Sequence, residues 1–154
     1  MKVLFLDIDG VLNSQRSCVA FNGYPHEVTE TLHQFDIVAL NLIRRVCAVT
    51  GCKVVLSSSW RYGKELKDFE NLNLPMIDFT PRGTGYRIRG GEIKEWLEDH
   101  PEVTHYAIVD DNSDMLEEQL PNFVKTQLED GLSWNNFKQL IEILEPINDE
   151  EKWF

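Results

Sequence analysis

Residues 1–13 read MKVLFLDIDGVLN. Four consecutive apolar side chains, Val3, Leu4, Phe5 and Leu6, run straight into Asp7, Asp9 and Gly10. An unbroken apolar run of this kind belongs to a strand covered on both faces, as in the middle of a parallel sheet. On an extended segment Asp7 and Asp9 point the same way. Two neighbouring carboxylates repel unless a cation neutralises them or one keeps a proton. The stretch therefore predicts a buried central strand that delivers an acidic pair to its carboxyl end.

The same arrangement recurs twice. Lys53–Leu56 is apolar after its first residue and ends in SSSW (57–60), and His105–Val109 ends in Asp110 and Asp111. Two weaker strands are expected at Pro75–Asp78 and Asn122–Thr126. Helical patterns fall between them. Asp36–Val49 is apolar on most sides and closed by Gly51, and Gly63–Leu72 and Ser113–Gln119 are shorter. Glu92–Asp99 turns Ile93, Trp96 and Leu97 inward. Ser133–Leu144 carries a cap at Ser133 and a stripe of Phe137, Leu140, Ile141 and Leu144. Asn13–Phe35 reads as a loop or small hairpin, and Thr80–Gly91, with its glycines and three arginines, as a loop. Strands alternating with helices predict an α/β fold: a doubly wound, Rossmann-like parallel sheet in three layers, with helices on both faces. One domain over residues 1–146 and an acidic tail over 147–154, in which Trp153 and Phe154 could pack back, complete the expectation. Ligands of such sheets bind beyond the carboxyl ends of the strands, so DID, SSSW and DD converge on one crevice.

The bulk properties narrow the function. A chain of 154 residues with 42% hydrophobic side chains can bury a sizeable core. No apolar run reaches the roughly 18 residues of a membrane span, and the N-terminus lacks the pattern of a secretory signal, so a cytoplasmic location is expected. Cys18, Cys47 and Cys52 form no C-x-x-C pair and read as reduced, non-ligating thiols. None of His26, His33, His100 and His105 has metal-ligand spacing; His33, in the early loop, is the one placed to line the crevice. The net charge of −11 opposes tight binding of long nucleic acid. It leaves room for a metal ion and a few local arginines to hold one phosphate. For Asp7, Asp9, Asp110 and Asp111 together, a hard dication with oxygen ligands resolves the repulsion, and Mg2+ fits best because it keeps waters that a phosphate can displace. Reading these acids only as turn formers and a helix cap does not account for both clusters following apolar strands.

D-x-D-G-V-L at the first strand end, Ser57 after V-V-L, and I-V-D-D at 108–111 resemble the haloacid dehalogenase superfamily of phosphatases, in motif order and spacing from Met1 to about Leu144. The resemblance implies that Asp7 is the nucleophile that forms an aspartyl-phosphate, and that Asp9 is the acid and then the base. It implies that the Asp9 carbonyl or an Asp7 oxygen, with Asp111, holds Mg2+, Asp110 standing behind. Ser57 matches the residue that hydrogen-bonds a phosphoryl oxygen, and Ser58 offers a backbone N–H. Arg61 reads as a phosphate clamp or as a surface arginine. Trp60 reads as packed, with stacking on a nucleobase as the alternative. The superfamily's lysine before the helix ahead of the D-D strand falls here near Gly90, which cannot serve. Arg89 is the better replacement than Lys94, because it sits at a helix N-terminus.

Neither 14–35 nor 62–88 is long enough for a cap domain, although the first suffices for a flap. An open site suits a phosphate on something large, or an oligomer partner acting as a lid. S-S-S-W-R, R-G-G-E-I-x-x-W-L and I-V-D-D-N-S-D-M are similar to phosphatase domains linked to RNA and DNA end repair, such as the phosphatase half of polynucleotide kinase-phosphatase and related phage-borne proteins. Arg82, Arg87 and Arg89 are expected to form a local basic rim. The expected substrate is a nucleic-acid end, such as a 3′-phosphate, or a nucleotide; a phosphoprotein or another small phosphate ester is the alternative. A non-enzymatic phosphoacceptor of the response-regulator kind is the reading from another class. It fits poorly, since the D-x-D sits on the first strand and no lysine ends the last. A degenerate binding protein that has lost the chemistry ranks lower, because all the acids are present.

Overall fold

Strand β1 (Lys2–Leu6) lies at the centre of a five-stranded sheet, as its apolar run requires. The computed structural model describes residues 1–83 and 88–148. The sheet order is β3-β2-β1-β4-β5, with β2 Lys53–Leu56, β3 Met76–Phe79, β4 His105–Asp110 and β5 Phe123–Lys125, and every neighbouring pair is parallel. Alternation along the strands divides the core. Leu4, Leu6, Val54, Leu56 and Val109 join the buried residues of α2 (Ile37–Thr50) and α4 (Trp134–Leu144), following α1 (Gln15–Phe21) in the chain. Val3, Phe5, Val55 and Ile108 meet Ile93 and Trp96 of α3 (Arg89–Glu98) on the opposite face. Phe5 and Trp96 pack edge to face, centroids 5.5 Å apart. The molecule is thus the predicted three-layer α/β sandwich, and no cap domain is inserted after β1 or β2.

Register fixes the site. Leu6 pairs with Leu56 on one side and with Val109 on the other. The next residue of each strand, Asp7, Ser57 and Asp110, therefore stand side by side. The ladder continues one step further, because Ser57 N–H donates to Leu6 O (3.0 Å) and Asp7 N–H to Val109 O (3.1 Å).

Several local expectations change. Part of the loop expected at Asn13–Phe35 is helix α1, held by a reciprocal cap between Ser14 and Ser17 and closed by Asn22 at φ 58°. It was hidden because only Ser17 is buried and Val19 lies exposed, so no apolar stripe marks it. The stretches expected as short helices are 3₁₀ turns at Leu66–Leu72 and Glu117–Asn122, the second displaced along the chain and containing Pro121. Helix α3 begins at Arg89 rather than Glu92. Its first turn takes in Gly90, where a Cβ would lie 2.6 Å from both Gln119 Oε1 and Leu116 N. Glycine here is a packing requirement, and it lets Gln119 Nε2 donate to the Gly90 carbonyl (2.8 Å). Cys47 and Cys52 are buried free thiols. Arg87, Trp153 and Phe154 lie outside the described residues. Among those described, no helix is long and apolar enough to cross a membrane.

Gly90→Ala should therefore cost about 1–3 kcal/mol by overpacking. Urea denaturation checks this: an unchanged midpoint would contradict the close approach of α3 to residues 115–119.

Candidate active site

Asp7 directly follows β1 and is almost fully buried, and its Oδ1 lies 3.1 Å from Arg89 Nη1. The same guanidinium nitrogen donates to Asp110 Oδ2. Asp110 is completely buried, and its other oxygen accepts from Asn112 N–H (2.9 Å). Asp111 is partly exposed. Single carboxylate oxygens of Asp7, Asp110 and Asp111 lie within 4.8 Å of one another, and among the described residues this is the one cluster of potential metal ligands. Gly10 makes the cluster possible: it sits at φ 81°, and a Cβ there would lie 2.6 Å from Asp111 Cγ. Thr126 Oγ1 donates to the Gly10 carbonyl (2.6 Å), tying the end of β5 to this turn.

One cation among three carboxylates does not balance them. Burial, reinforced by Asp110, pushes the Asp7 carboxyl up to about 8 against the lowering pull of Arg89. Burial also raises Asp110, again opposed by Arg89. Burial alone would depress the Arg89 guanidinium, but Asp7 and Asp110 outweigh it and hold it above its ordinary value. Beside these groups the Ser57 hydroxyl is buried with no hydrogen-bond partner. An orphaned buried hydroxyl is costly, and this one stands next to Asp7 at the strand ends.

The residues singled out in the sequence separate into two sets. Asp7, Ser57, Arg89, Asp110 and Asp111 come together. Lys94 does not join them: it is exposed and 3.6 Å from Glu118. Arg89 reaches the acids because Asp114, missed in the sequence, accepts from Arg89 N–H (3.0 Å) and, through its carbonyl, from Gly90 N–H (3.1 Å). The third acid of DDNSD was the available signal.

Arg61 is neither a phosphate clamp nor a surface residue. It is buried, and its N–H donors go to the carbonyls of Thr80, Ser57, Ser58 and Pro81 and to Glu92 Oε2 (2.8 Å). No donor remains for a phosphate; the guanidinium instead fastens the Ser57–Ser58 segment to the chain after β3. The Ser58 hydroxyl accepts from Trp60 N–H (3.2 Å), which leaves its backbone as the expected contributor. Of the expected basic rim, Arg82 lies over the Tyr62 ring, Arg89 is inside the acidic cluster, and Arg87 lies outside the described residues.

Asp9 departs from the simple alternation argument. β1 stops at Leu6, and the chain turns at Gly10, so two-residue periodicity no longer holds. The Asp9 residue is exposed, and its carboxylate accepts from Asn13 Nδ2 (2.9 Å) and Trp60 Nε1 (3.0 Å). It is not one of the three clustered carboxylates. Trp60 is packed as expected, against Phe35 at 5.7 Å, but its indole N–H also orients Asp9, which nothing in the sequence announced. His33 is exposed and bonded to Thr31; His26 is the histidine that lines the cavities beside Asp9.

The site brings a buried carboxylate, a cation, an orphaned hydroxyl and further acids to the carboxyl edge of a parallel sheet, an arrangement compatible with phosphoryl transfer. Residues 3–137 match the family described as the HAD domain in Swiss Army Knife RNA repair proteins, where HAD abbreviates haloacid dehalogenase. The chain belongs to this family. No curated protein and no solved structure matches it significantly. Membership implies hydrolase chemistry of the phosphatase type on a phosphorylated substrate, in a superfamily that typically uses a metal ion, for which the acidic cluster is suited.

A carboxyl held above its unfolded value binds a proton more tightly when folded. That stabilisation is lost as pH rises from about 4 towards about 8. In chelator the wild type should therefore lose more thermal stability than Asp7→Asn between about pH 5 and about pH 8, and added Mg2+ should restore it selectively in the wild type. Parallel melting curves for the two proteins would refute the reading.

Proposed function

We propose that this protein is a Mg2+-dependent phosphomonoester hydrolase that works through an aspartyl-phosphate on Asp7, and that its substrates are nucleotide-type phosphates. The observation that carries the reading is the buried Asp7, paired with Arg89, beside the unpartnered Ser57 hydroxyl. An Asp7 oxygen attacks phosphorus as the bond to the leaving oxygen breaks, and Asp9 gives that oxygen its proton. Water then attacks the phosphorus of the acyl phosphate. Asp9 takes the water's proton, and Asp7 is regenerated with release of inorganic phosphate. The exposed position of Asp9, two residues after Asp7, suits a group that meets both the leaving oxygen and the water. Ser57 Oγ donates to a phosphoryl oxygen, and Ser58 contributes its backbone. Arg89 offsets the charge that gathers on Asp7 and the phosphoryl group.

Asp7 and Asp111, with the Asp9 carbonyl and with Asp110 behind them, would hold the Mg2+ ion, which neutralises the carboxylates and polarises the phosphoryl group. The donor set fits a hard dication: oxygen ligands alone, with more carboxylate charge than Arg89 balances.

The family's description, RNA repair, supports a nucleic-acid substrate, and a terminal phosphate, such as a 3′-phosphate, is the group we assign to the site. The absence of a cap in the fold supports an end of a larger molecule. The charge of −11 favours a short substrate, so a mononucleotide is the second reading.

Magnesium-dependent phosphate release should be measured over 3′- and 5′-phosphorylated oligonucleotides, nucleoside monophosphates and a phosphopeptide. Asp7→Asn should abolish turnover, and Asp9→Asn should lower it by on the order of 10²–10⁴. Ser57→Ala should lower kcat/KM about ten- to hundredfold. Retained turnover in Asp7→Asn would sink the mechanism. A long-lived phosphoprotein in the intact mass spectrum would favour a phosphoacceptor instead.

A further inference from the structure

Two cavities open beside Asp9, and they share Asp9, His26 and Trp60. One, of about 350 Å3, carries the acids Glu27 and Asp68 against the single lysine Lys64. The other, of about 390 Å3, is lined by Asp9, Tyr24, Pro25, His26, Trp60 and Leu128. Each is of the size that takes a small ligand or one unit of a larger one. We infer that the second cavity, with Tyr24, His26 and Trp60 around it, is a nucleobase chamber that holds the base of the leaving nucleoside. This rests on the proposed role of Asp9 as the group that protonates the leaving oxygen.

The geometry carries the assignment. The three clustered carboxylates, Arg89 and Ser57, the groups assigned to the phosphoryl group, line neither cavity. What borders Asp9 there is therefore the leaving group. Among the described residues the second cavity has no lysine or arginine, so a second phosphate would find no cation in it. It has three flat rings, the apolar bodies of Pro25 and Leu128, and polar edges on Tyr24 and His26. Unpaired bases are bound on such surfaces, by stacking on aromatic side chains with hydrogen bonds at their edges. Trp60 is held ready for stacking, since Asp9 accepts its N–H at 3.0 Å and Phe35 packs against its ring. The acidic first cavity gives a polynucleotide backbone little to bind. Recognition then depends on the base and the scissile phosphate, which reconciles nucleotide chemistry with a net charge of −11.

The test compares kcat/KM for a nucleoside 3′-monophosphate with that for glycerol 2-phosphate, in wild type, Tyr24→Ala, Tyr24→Phe and His26→Ala. The Trp60 indole NH resonance is followed in parallel while adenosine, which has no phosphate, is added. Stacking of one base predicts that the wild-type ratio favours the nucleotide about five- to hundredfold. The ratio should fall towards one in Tyr24→Ala, recover in Tyr24→Phe, and be lowered in His26→Ala; adenosine should shift the indole resonance. A wild-type ratio near one, unchanged in the variants and without an adenosine shift, overturns the chamber and leaves the phosphatase reading standing. An adenosine shift lost in Tyr24→Ala, with no turnover of any ester, supports the chamber and overturns the phosphatase reading.

Discussion

The site rests on the burial of Asp7 among other carboxylates with Arg89 as the one cation, among the described residues, in contact with it. Desolvation opposes the charged form of each acid, and the acids oppose one another. One guanidinium does not cancel the excess. A pocket of this kind is more stable when a dication or a proton enters it. The cost is local, because the strand residues beneath, Val3–Leu6, Val54–Leu56 and Ala107–Val109, are apolar and completely buried.

Much of the surrounding chain is shaped by the need to bring these groups together. Gly10 is small so that Asp111 can approach, and Gly90 is small so that α3 can start close to residues 115–119. Asp114 then fixes Arg89 at the first turn of that helix. Arg61 joins Ser57 and Ser58 to Glu92 of the same helix, so the hydroxyl-bearing strand end and the arginine-bearing helix are linked by a buried ion pair. Such a pair is strongly unfavourable to break because it would leave an uncompensated charge, and it accounts for an arginine whose side-chain donors are all engaged within the protein.

Asp9 belongs to a different layer of the arrangement. Its carboxylate is held by Asn13 and Trp60, outside the acidic cluster and facing the cavities formed with residues 24–28. The Asp9 carboxylate thus borders the cavities, while the clustered carboxylates line neither of them. The segment after α1 and the aromatic residues after β2 are the parts of the chain that border these cavities.

The sequence by itself determined the sheet, its parallel sense, and the convergence of Asp7, Ser57, Asp110 and Asp111. Continuous apolar runs ending in polar residues encode strand position directly, and adjacent strands bring their next residues together. The cap of α4 at Ser133 was legible for the same local reason. Helix α1 was not, because it buries too little apolar surface to show a period. The fates of Arg61, Asp9 and Trp60 were decided only by tertiary structure. Arg61 turns inward because the carbonyls of four separate residues and Glu92 meet around it, and Asp9 turns outward because Trp60, distant in sequence, offers its N–H. Contacts between residues far apart in the chain leave no period or spacing to read, whereas strand order and register do.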